Sequence, residues 1–257
     1  MTIIIHGGIV DLGLQDRVAL VTGASGGLGA AIARTLAAEG ARVAIGYHTG
    51  QDQAKQLASQ IPAAITVRHD LADPATIAAA ARAITAAWGR LDILVTCAWA
   101  SPGWAPPDHP AESTPASAWQ DQLRLNAEGT AYTIQAVLPP MRAAGWGRIV
   151  MLSSGAADGA PGLEQYSAAK AALHGLARSL ARSAGHSGIL TNVVMPGLIA
   201  TERHRQAIPE PVLAQIAAAG PTGHLATEDD VAQLVAFLVS AANQSVTGAE
   251  IHVGHGA

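Results

Sequence analysis

Short uninterrupted apolar runs alternate with longer alanine-rich stretches along most of this chain. Arg17-Val18-Ala19-Leu20-Val21, Ala41-Arg42-Val43-Ala44-Ile45, Ala64-Ile65-Thr66-Val67 and Leu91-Asp92-Ile93-Leu94-Val95 read as four strands. Arg148-Ile149-Val150-Met151-Leu152, Leu190-Thr191-Asn192-Val193-Val194 and Ala249-Glu250-Ile251-His252-Val253 read as three more. Runs that stay apolar belong to strands covered on both faces, and helices between them imply a parallel sheet. The helical pattern covers residues 30–39, 52–60, 74–88, 115–142, the stretch from Tyr166 to about 184, and 228–240. Asp73 is placed to cap the third of these, with Pro74 at its first position. The long pattern over 115–142 predicts a break or bend near Gly129 and an end region at Pro139-Pro140. No repeat beyond this alternation and no low-complexity linker divides the chain. One α/β domain over 1–257 is expected, with a short extension over 1–15 and a covering segment over 198–224.

Composition sharpens this picture only a little. The chain of 257 residues has 49% hydrophobic and 13% charged residues, which suits close packing of helices on a sheet. A net charge of −4 gives no basic footprint, so nucleic acid is not an expected partner. The single cysteine, Cys97, excludes an internal disulfide and a cysteine-based metal site. The start lacks the basic region and apolar core of a signal peptide, and no uncharged apolar run is long enough to span a bilayer. A cytoplasmic protein with no membrane association is expected. The histidines show no ligand spacing, and no catalytic metal is expected.

Two stretches carry chemistry. The first strand leads into Thr22-Gly23-Ala24-Ser25-Gly26-Gly27-Leu28-Gly29 and then a helix. Glycines let a backbone approach a pyrophosphate, and the free N–H groups of the helix start face it. The second stretch runs from Leu152-Ser153-Ser154 to Tyr166-Ser167-Ala168-Ala169-Lys170. Residues four apart share a helix face, so the Tyr166 hydroxyl and the Lys170 amine can reach one site. A cation beside a phenol is expected to lower its pKa and suit it to proton transfer near neutral pH. The proline-rich loop over 101–110 lies at the carboxyl end of a strand, the edge at which open α/β sheets bind ligands.

Together these residues resemble the short-chain dehydrogenase/reductase family over almost the whole chain. Thr22-Gly23-x-x-x-Gly27-x-Gly29 is similar to its cofactor loop, and Trp88-Gly89-Arg90-Leu91-Asp92-Ile93-Leu94-Val95 to its fourth strand. Asn126, Ser154, Tyr166 and Lys170 match its catalytic positions, Pro196-Gly197-Leu198-Ile199-Ala200-Thr201 its Pro-Gly-x-x-x-Thr segment, and Val246-Thr247-Gly248-Ala249-Glu250-Ile251-His252-Val253 its ending. Within the family the chain looks closest to 3-oxoacyl-carrier-protein reductases and related carbonyl reductases. The resemblance implies a single doubly wound Rossmann domain and hydride transfer between a nicotinamide cofactor and a ketone or secondary alcohol, with an acyl thioester as one candidate. It implies that Tyr166 moves the proton, Ser154 bonds the oxyanion, Lys170 holds the nicotinamide ribose, and Asn126 holds a water linking Lys170 to solvent. Cofactor contacts are expected from Gly23, Ser25, Gly27, Leu28, Gly29, His48, Leu71, Ala98, Tyr166, Lys170, Pro196, Gly197, Ile199 and Thr201. Asp70 is either an adenine contact or a turn aspartate. A homo-oligomer, tetramer or dimer, is also implied.

The chain departs from the family in three places. Family spacing between serine and tyrosine points to Ser153, while strand alternation points to Ser154; Ser154 is the reading adopted, since neighbouring side chains face opposite ways. Thr96-Cys97-Ala98-Trp99 stands where the family has Asn-Asn-Ala-Gly, so Trp99 adds bulk beside the cofactor site unless the backbone shifts locally. Cys97 reads as a packing residue. Gly46-Tyr47-His48-Thr49 offers no carboxylate for an NAD ribose, which favours NADP with His48 or Thr49 as partners, NAD remaining open; the arginine often found at the Gly26 position is missing. Trp99, Trp104, Pro106, Pro107 and His109 are expected to line the substrate pocket. The alternatives are a non-redox binding or partner subunit on the same fold, and lyase or isomerase chemistry, against which the intact Lys170 argues.

Overall fold

The computed structural model describes residues 11–254 except 102, 104, 105 and 107. Seven parallel strands form one sheet: β1 (Val18–Thr22), β2 (Arg42–Tyr47), β3 (Ile65–Arg68), β4 (Ile93–Thr96), β5 (Gly147–Leu152), β6 (Ile189–Pro196) and β7 (Glu250–Val253). Their order across the sheet is β3-β2-β1-β4-β5-β6-β7. The chain therefore winds outward from β1 in one direction and from β4 in the other. Between β1 and β4 the strand order reverses, which opens a crevice at their carboxyl ends.

β1, β4 and β5 are buried along their whole length, as continuous apolar runs require. Alternation divides their side chains between two cores. Ala19, Val21, Ile93 and Val95 pack with helix α1 (Gly27–Ala38) and helix α9 (Glu228–Leu238). Val18, Leu20, Leu94 and Ile149 pack on the other face with α3 (Pro74–Trp88), α5 (Gly129–Ala144) and α6 (Glu164–Ala184). Each Leu or Ile so enclosed contributes about 2 kcal/mol relative to exposure. The remaining helices are α2 (Gln51–Gln60), α4 (Ala116–Gln122), α7 (Glu202–Ala207) and α8 (Glu210–Ala219).

Local signals set most of the boundaries. Asp73 caps α3 by accepting from the Ala75 N–H at 2.9 Å, and Gly89 ends it in the left-handed region at φ 73°. Thr227 and Asp230 form a reciprocal capping box at the start of α9, which ends at Leu238 rather than at 240. The long helix is irregular beside Gly129, as expected, but does not end where expected. Its irregularity is a π-helical stretch, Leu123–Glu128, which ends just before Gly129. Pro139 and Pro140 do not stop α5, which continues to Ala144 before Gly145 closes it at φ 60°. Of the expected extension, 1–10 lies outside the described residues; Leu14 is buried against the α1 core. The 198–224 segment carries α7 and α8, joined back to the molecule by a bridge between Ile199 and Ala226. Among the described residues no helix is long and apolar enough to cross a membrane.

Candidate active site

The crevice at the carboxyl ends of the strands is a cleft of about 1350 Å³. Its floor is the turn between β1 and α1. Thr22 ends β1, and its Oγ1 accepts from the backbone N–H groups of Cys97 and Ala98 at 3.1 and 3.0 Å, which ties β4 to the turn. Gly23 sits at φ 65°, and a Cβ there would lie 2.7 Å from the Ala98 Cα. A Cβ on Gly29 would lie 2.6 Å from the Gly23 carbonyl oxygen. The turn can close only without these side chains. Gly26 is the N-cap of α1, but no side chain caps the helix and its first turn holds no acidic residue. Its first N–H groups are thus left for an anion, which with the glycine cradle fits a dinucleotide's pyrophosphate. Ser25, Gly27 and Leu28 share this wall.

The ends of β2 and β3 form the next wall. His48 Nε2 lies 3.2 Å from Asp70 Oδ2, with the Arg68 guanidinium 3.8 Å from the same oxygen. Asp70 Oδ1 accepts from the Ala72 N–H at 2.9 Å. Asp70 is therefore a turn aspartate that also lines the cleft. Leu71 follows on the wall and packs on Gly129, where a Cβ would come within 2.6 Å of the Leu71 oxygen. His69, not anticipated from the sequence, lines the cleft with its Nε2 2.9 Å from Thr133 Oγ1. Burial pushes its pKa down to about 4, so the ring is neutral.

Opposite lies the polar cluster. Ser154 leaves the end of β5 with its Oγ accepting from the Ala156 N–H at 3.2 Å, and it hydrogen-bonds the Tyr166 phenol. Ser153 turns the other way, its Oγ 2.9 Å from His174 Nε2 and 3.2 Å from the Lys170 carbonyl oxygen. Lys170 Nζ donates to the Leu152 carbonyl at 3.0 Å and stands 5.8 Å from the centre of the Tyr166 ring. Burial lowers its pKa to about 8. The expected lowering of the Tyr166 pKa is not what the surroundings produce. Burial of the phenol raises it above its ordinary value and outweighs the opposing Ser154 hydrogen bond.

Among the expected catalytic and cofactor-contact residues, Asn126 alone does not reach the cleft wall. It is buried, and its amide is fully used: Oδ1 accepts from the Ala100 N–H at 2.9 Å, while Nδ2 donates to the Ala100 oxygen at 3.1 Å and to Gln122 Oε1 at 2.7 Å. Its side chain thereby ties the loop after β4 to the helix. That loop carries Ala98 on the wall and Trp99, whose ring meets Tyr166 edge-on with centroids 6.0 Å apart. Trp99 itself lines the cleft and is 45% exposed. Burial pushes the Cys97 thiol up to about 12, as suits a packing residue. Of the other expected pocket residues, Pro106 and His109 are not on the wall, and Trp104 and Pro107 lie outside the described residues.

The last wall is the turn after β6. Gly197 N–H donates to the Val253 oxygen at 2.9 Å, and Pro196, Gly197, Ile199 and Thr201 all face the cleft. Thr201 caps α7 by accepting from the His204 N–H at 3.2 Å. Glu202, His204 and Glu228 were not singled out from the sequence, yet they line the cleft. They carry no motif, and only folding brings them there.

A glycine cradle facing a buried phenol, hydroxyl and amine across the switch point of a doubly wound sheet is the site of a dinucleotide-dependent oxidoreductase. The comparisons agree. The family described as enoyl-(acyl carrier protein) reductase matches residues 23–257. The chain belongs to the short-chain dehydrogenase/reductase family. It is 40% identical over 244 residues to cis-4-hydroxycyclohexanecarboxylate dehydrogenase of Sinomonas cyclohexanicum, covering 94% of this chain and 96% of that protein. It is 36% identical over 247 residues to the 3-oxoacyl-[acyl-carrier-protein] reductase of Escherichia coli, covering 95% and 98%. Among solved structures, a 7α-hydroxysteroid dehydrogenase complexed with NADH and 7-oxo glycochenodeoxycholic acid superposes with a TM-score of 0.88 at 29% identity, covering 96% of each chain. A gluconate 5-dehydrogenase of Burkholderia cenocepacia with NADP and tartrate gives 0.85 at 29% identity, covering 95% of each.

Proposed function

We propose that the protein is an NADP-dependent carbonyl reductase, or secondary alcohol dehydrogenase in the reverse direction, with Tyr166 as its general acid and base. The observation that carries this reading is the single cleft in which Ser154, Tyr166 and Lys170 face the glycine cradle of α1. The bound nicotinamide supplies or accepts the hydride at the carbonyl carbon. The Tyr166 phenol, held above its ordinary pKa by burial, is protonated at neutral pH and gives its proton to the forming alkoxide. The Ser154 hydroxyl is a second donor for the same oxygen. Lys170 spends one N–H on the Leu152 carbonyl and keeps two for ligand hydroxyls. Asn126 holds the Trp99 loop in place.

The preference for NADP rests on the absence of a carboxylate from Gly46-Tyr47-His48-Thr49 and on the exposed His48 and Arg68 near the cleft edge. The named relatives include dehydrogenases of a cyclohexanol acid and a hydroxysteroid and a reductase of 3-oxoacyl thioesters. All are secondary alcohol or ketone substrates, and Trp99 on the cleft wall suits an apolar body of that kind. We read the chain as one domain with 198–224 as the segment covering the substrate, working in the cytoplasm as a homo-oligomer.

The test is to follow nicotinamide absorbance with NADPH and with NADH against cyclic ketones and 3-oxoacyl thioesters. Turnover with NADPH, lost in Tyr166→Phe, is the expected result. Calorimetry that finds no binding of either dinucleotide refutes the reading.

A further inference from the structure

Three side chains behind the proposed active site form a continuous chain. Ser153 Oγ, at the end of β5, lies 2.9 Å from His174 Nε2 on α6. His174 Nδ1 lies 3.1 Å from Glu250 Oε2 on β7, and the other Glu250 oxygen pairs with Arg178 of α6. Ser153 Oγ is also 3.2 Å from the Lys170 carbonyl oxygen. A carbonyl can only accept, so the Ser153 proton goes there when both ring nitrogens of His174 donate, one to Ser153 and one to Glu250. Ser153 and His174 are both buried.

These are the hydroxyl–imidazole–carboxylate distances of a nucleophilic triad, but the hydroxyl is aimed at the α6 backbone and away from the cleft centre. Its geometry suits holding, not attack. Lys170 is consequently gripped twice by consecutive residues of one strand end, its Nζ by the Leu152 carbonyl and its own carbonyl by Ser153 Oγ. A second contact from the same face of β7 joins the same region: His252 Nε2 lies 3.7 Å from Asp158 Oδ2, in the turn that follows Ser154.

We propose that Ser153, His174 and Glu250 are positioning residues for Lys170, through which the edge strand β7 sets the place and ionisation of the amine in the cleft. The proposal rests on the active-site reading above only for its catalytic consequence. Its structural content can be read without turnover, because the chain contains two lysines, Lys55 and Lys170. The charged and titratable neighbours of Lys170 are Tyr166 on its own helix and Cys97 after β4; those of His174 are Glu250 and Arg178.

The test is an NMR titration of side-chain-labelled lysine in the whole protein, with His174→Leu, His174→Gln and Glu250→Gln, alongside kcat and KM. Parent protein is expected to show Lys170 titrating near 8, well apart from Lys55. His174→Leu should move the Lys170 midpoint by half a unit or more, move the alkaline limb of the kcat profile with it, and lower kcat about tenfold. KM for the carbonyl substrate should stay within twofold. His174→Gln, which keeps a donor toward Ser153, should restore most of both effects, and Glu250→Gln should show a weaker change in the same direction. If His174→Leu does not fold, Ser153→Ala removes only the hydroxyl and should reproduce the shift. An unchanged Lys170 titration in a folded His174→Leu or Ser153→Ala protein overturns the proposal. A parent protein without dinucleotide turnover overturns the proposed function, while the titration still decides the positioning.

Discussion

The edge of Trp99 meets the ring of Tyr166 at 60° with centroids 6.0 Å apart. The proposed proton donor thus has an aromatic neighbour on the cleft wall. Edge-to-face pairs of this kind contribute about 1 kcal/mol beyond the area they cover, and this one shields a phenol whose raised pKa comes from burial.

Trp99→Ala should therefore keep the fold and cost about 1 kcal/mol by thermal unfolding, the share of the lost edge-to-face pair. It should raise KM for bulky apolar ketones about tenfold and move the Tyr166-dependent limb of the pH profile toward the ordinary phenol value. An unaltered KM across a series of ketones of increasing size would show that Trp99 does not face substrate.

Two glycines of the same turn should behave oppositely. Gly23→Ala places a methyl 2.7 Å from the Ala98 Cα at φ 65°, so it should destabilise by about 2 kcal/mol or more and abolish dinucleotide binding in calorimetry. Gly26 has extended backbone at φ −176° and no atom within 4 Å of a Cβ. Gly26→Arg should fold normally and raise the NADPH-over-NADH ratio of kcat/KM about tenfold, by placing a guanidinium near His48 and Arg68 where a 2′-phosphate would sit.

The rate of ketone reduction should fall with rising pH. Tyr166 is protonated over the neutral range, and Lys170 loses its charge through about 8. A profile of kcat flat from about 6 to 7.5 and declining above about 8 is expected, measured with saturating NADPH. A rate that climbs through that range would contradict a phenol acting as the acid.

Lys170 should cost stability while supporting catalysis. Its pKa is about 8 in the fold against 10.5 for the free side chain. Between those values the unfolded chain holds a proton that the folded chain has released, so stability rises with pH across this window. The contribution is present above 10.5 and lost as pH falls through about 8, a difference on the order of 3 kcal/mol. Lys170→Met should remove that slope and unfold at higher denaturant than the parent at pH 7, with turnover abolished. Equal stability of the two proteins at pH 7 and at pH 10 would count against a buried, charged amine.

Local chemistry explains which parts of this were readable in advance. The apolar run ending at Thr22 and the glycines after it specify strand, turn and helix within a dozen residues, and the structure follows them. Asp73 and Pro74 mark their helix start in the same way. Strand alternation was enough to send Ser153 and Ser154 to opposite sides. What escaped depended on distant partners. The Asn126 amide is used by Ala100, and the Glu250 carboxylate by His174, contacts that only the sheet order creates. The direction of the Tyr166 pKa escaped for a related reason: the spacing to Lys170 was visible, but the depth of burial was not. The place of the helix irregularity beside Gly129 was legible, but its π character was not, because a π turn depends on which carbonyls are claimed elsewhere.

That π turn has an evolutionary reading. A π stretch arises when one residue is inserted into an α-helix, and every residue before it is swung by about 100° relative to those after it. Leu123–Glu128 holds Asn126 and follows directly on Gln122, so the insertion sets how the Gln122–Asn126–Ala100 anchor meets the loop that carries Trp99. A descendant that deleted one residue there would rewind the helix without touching the catalytic cluster. It would release Trp99, and substrate range could then diverge while the reaction stayed the same.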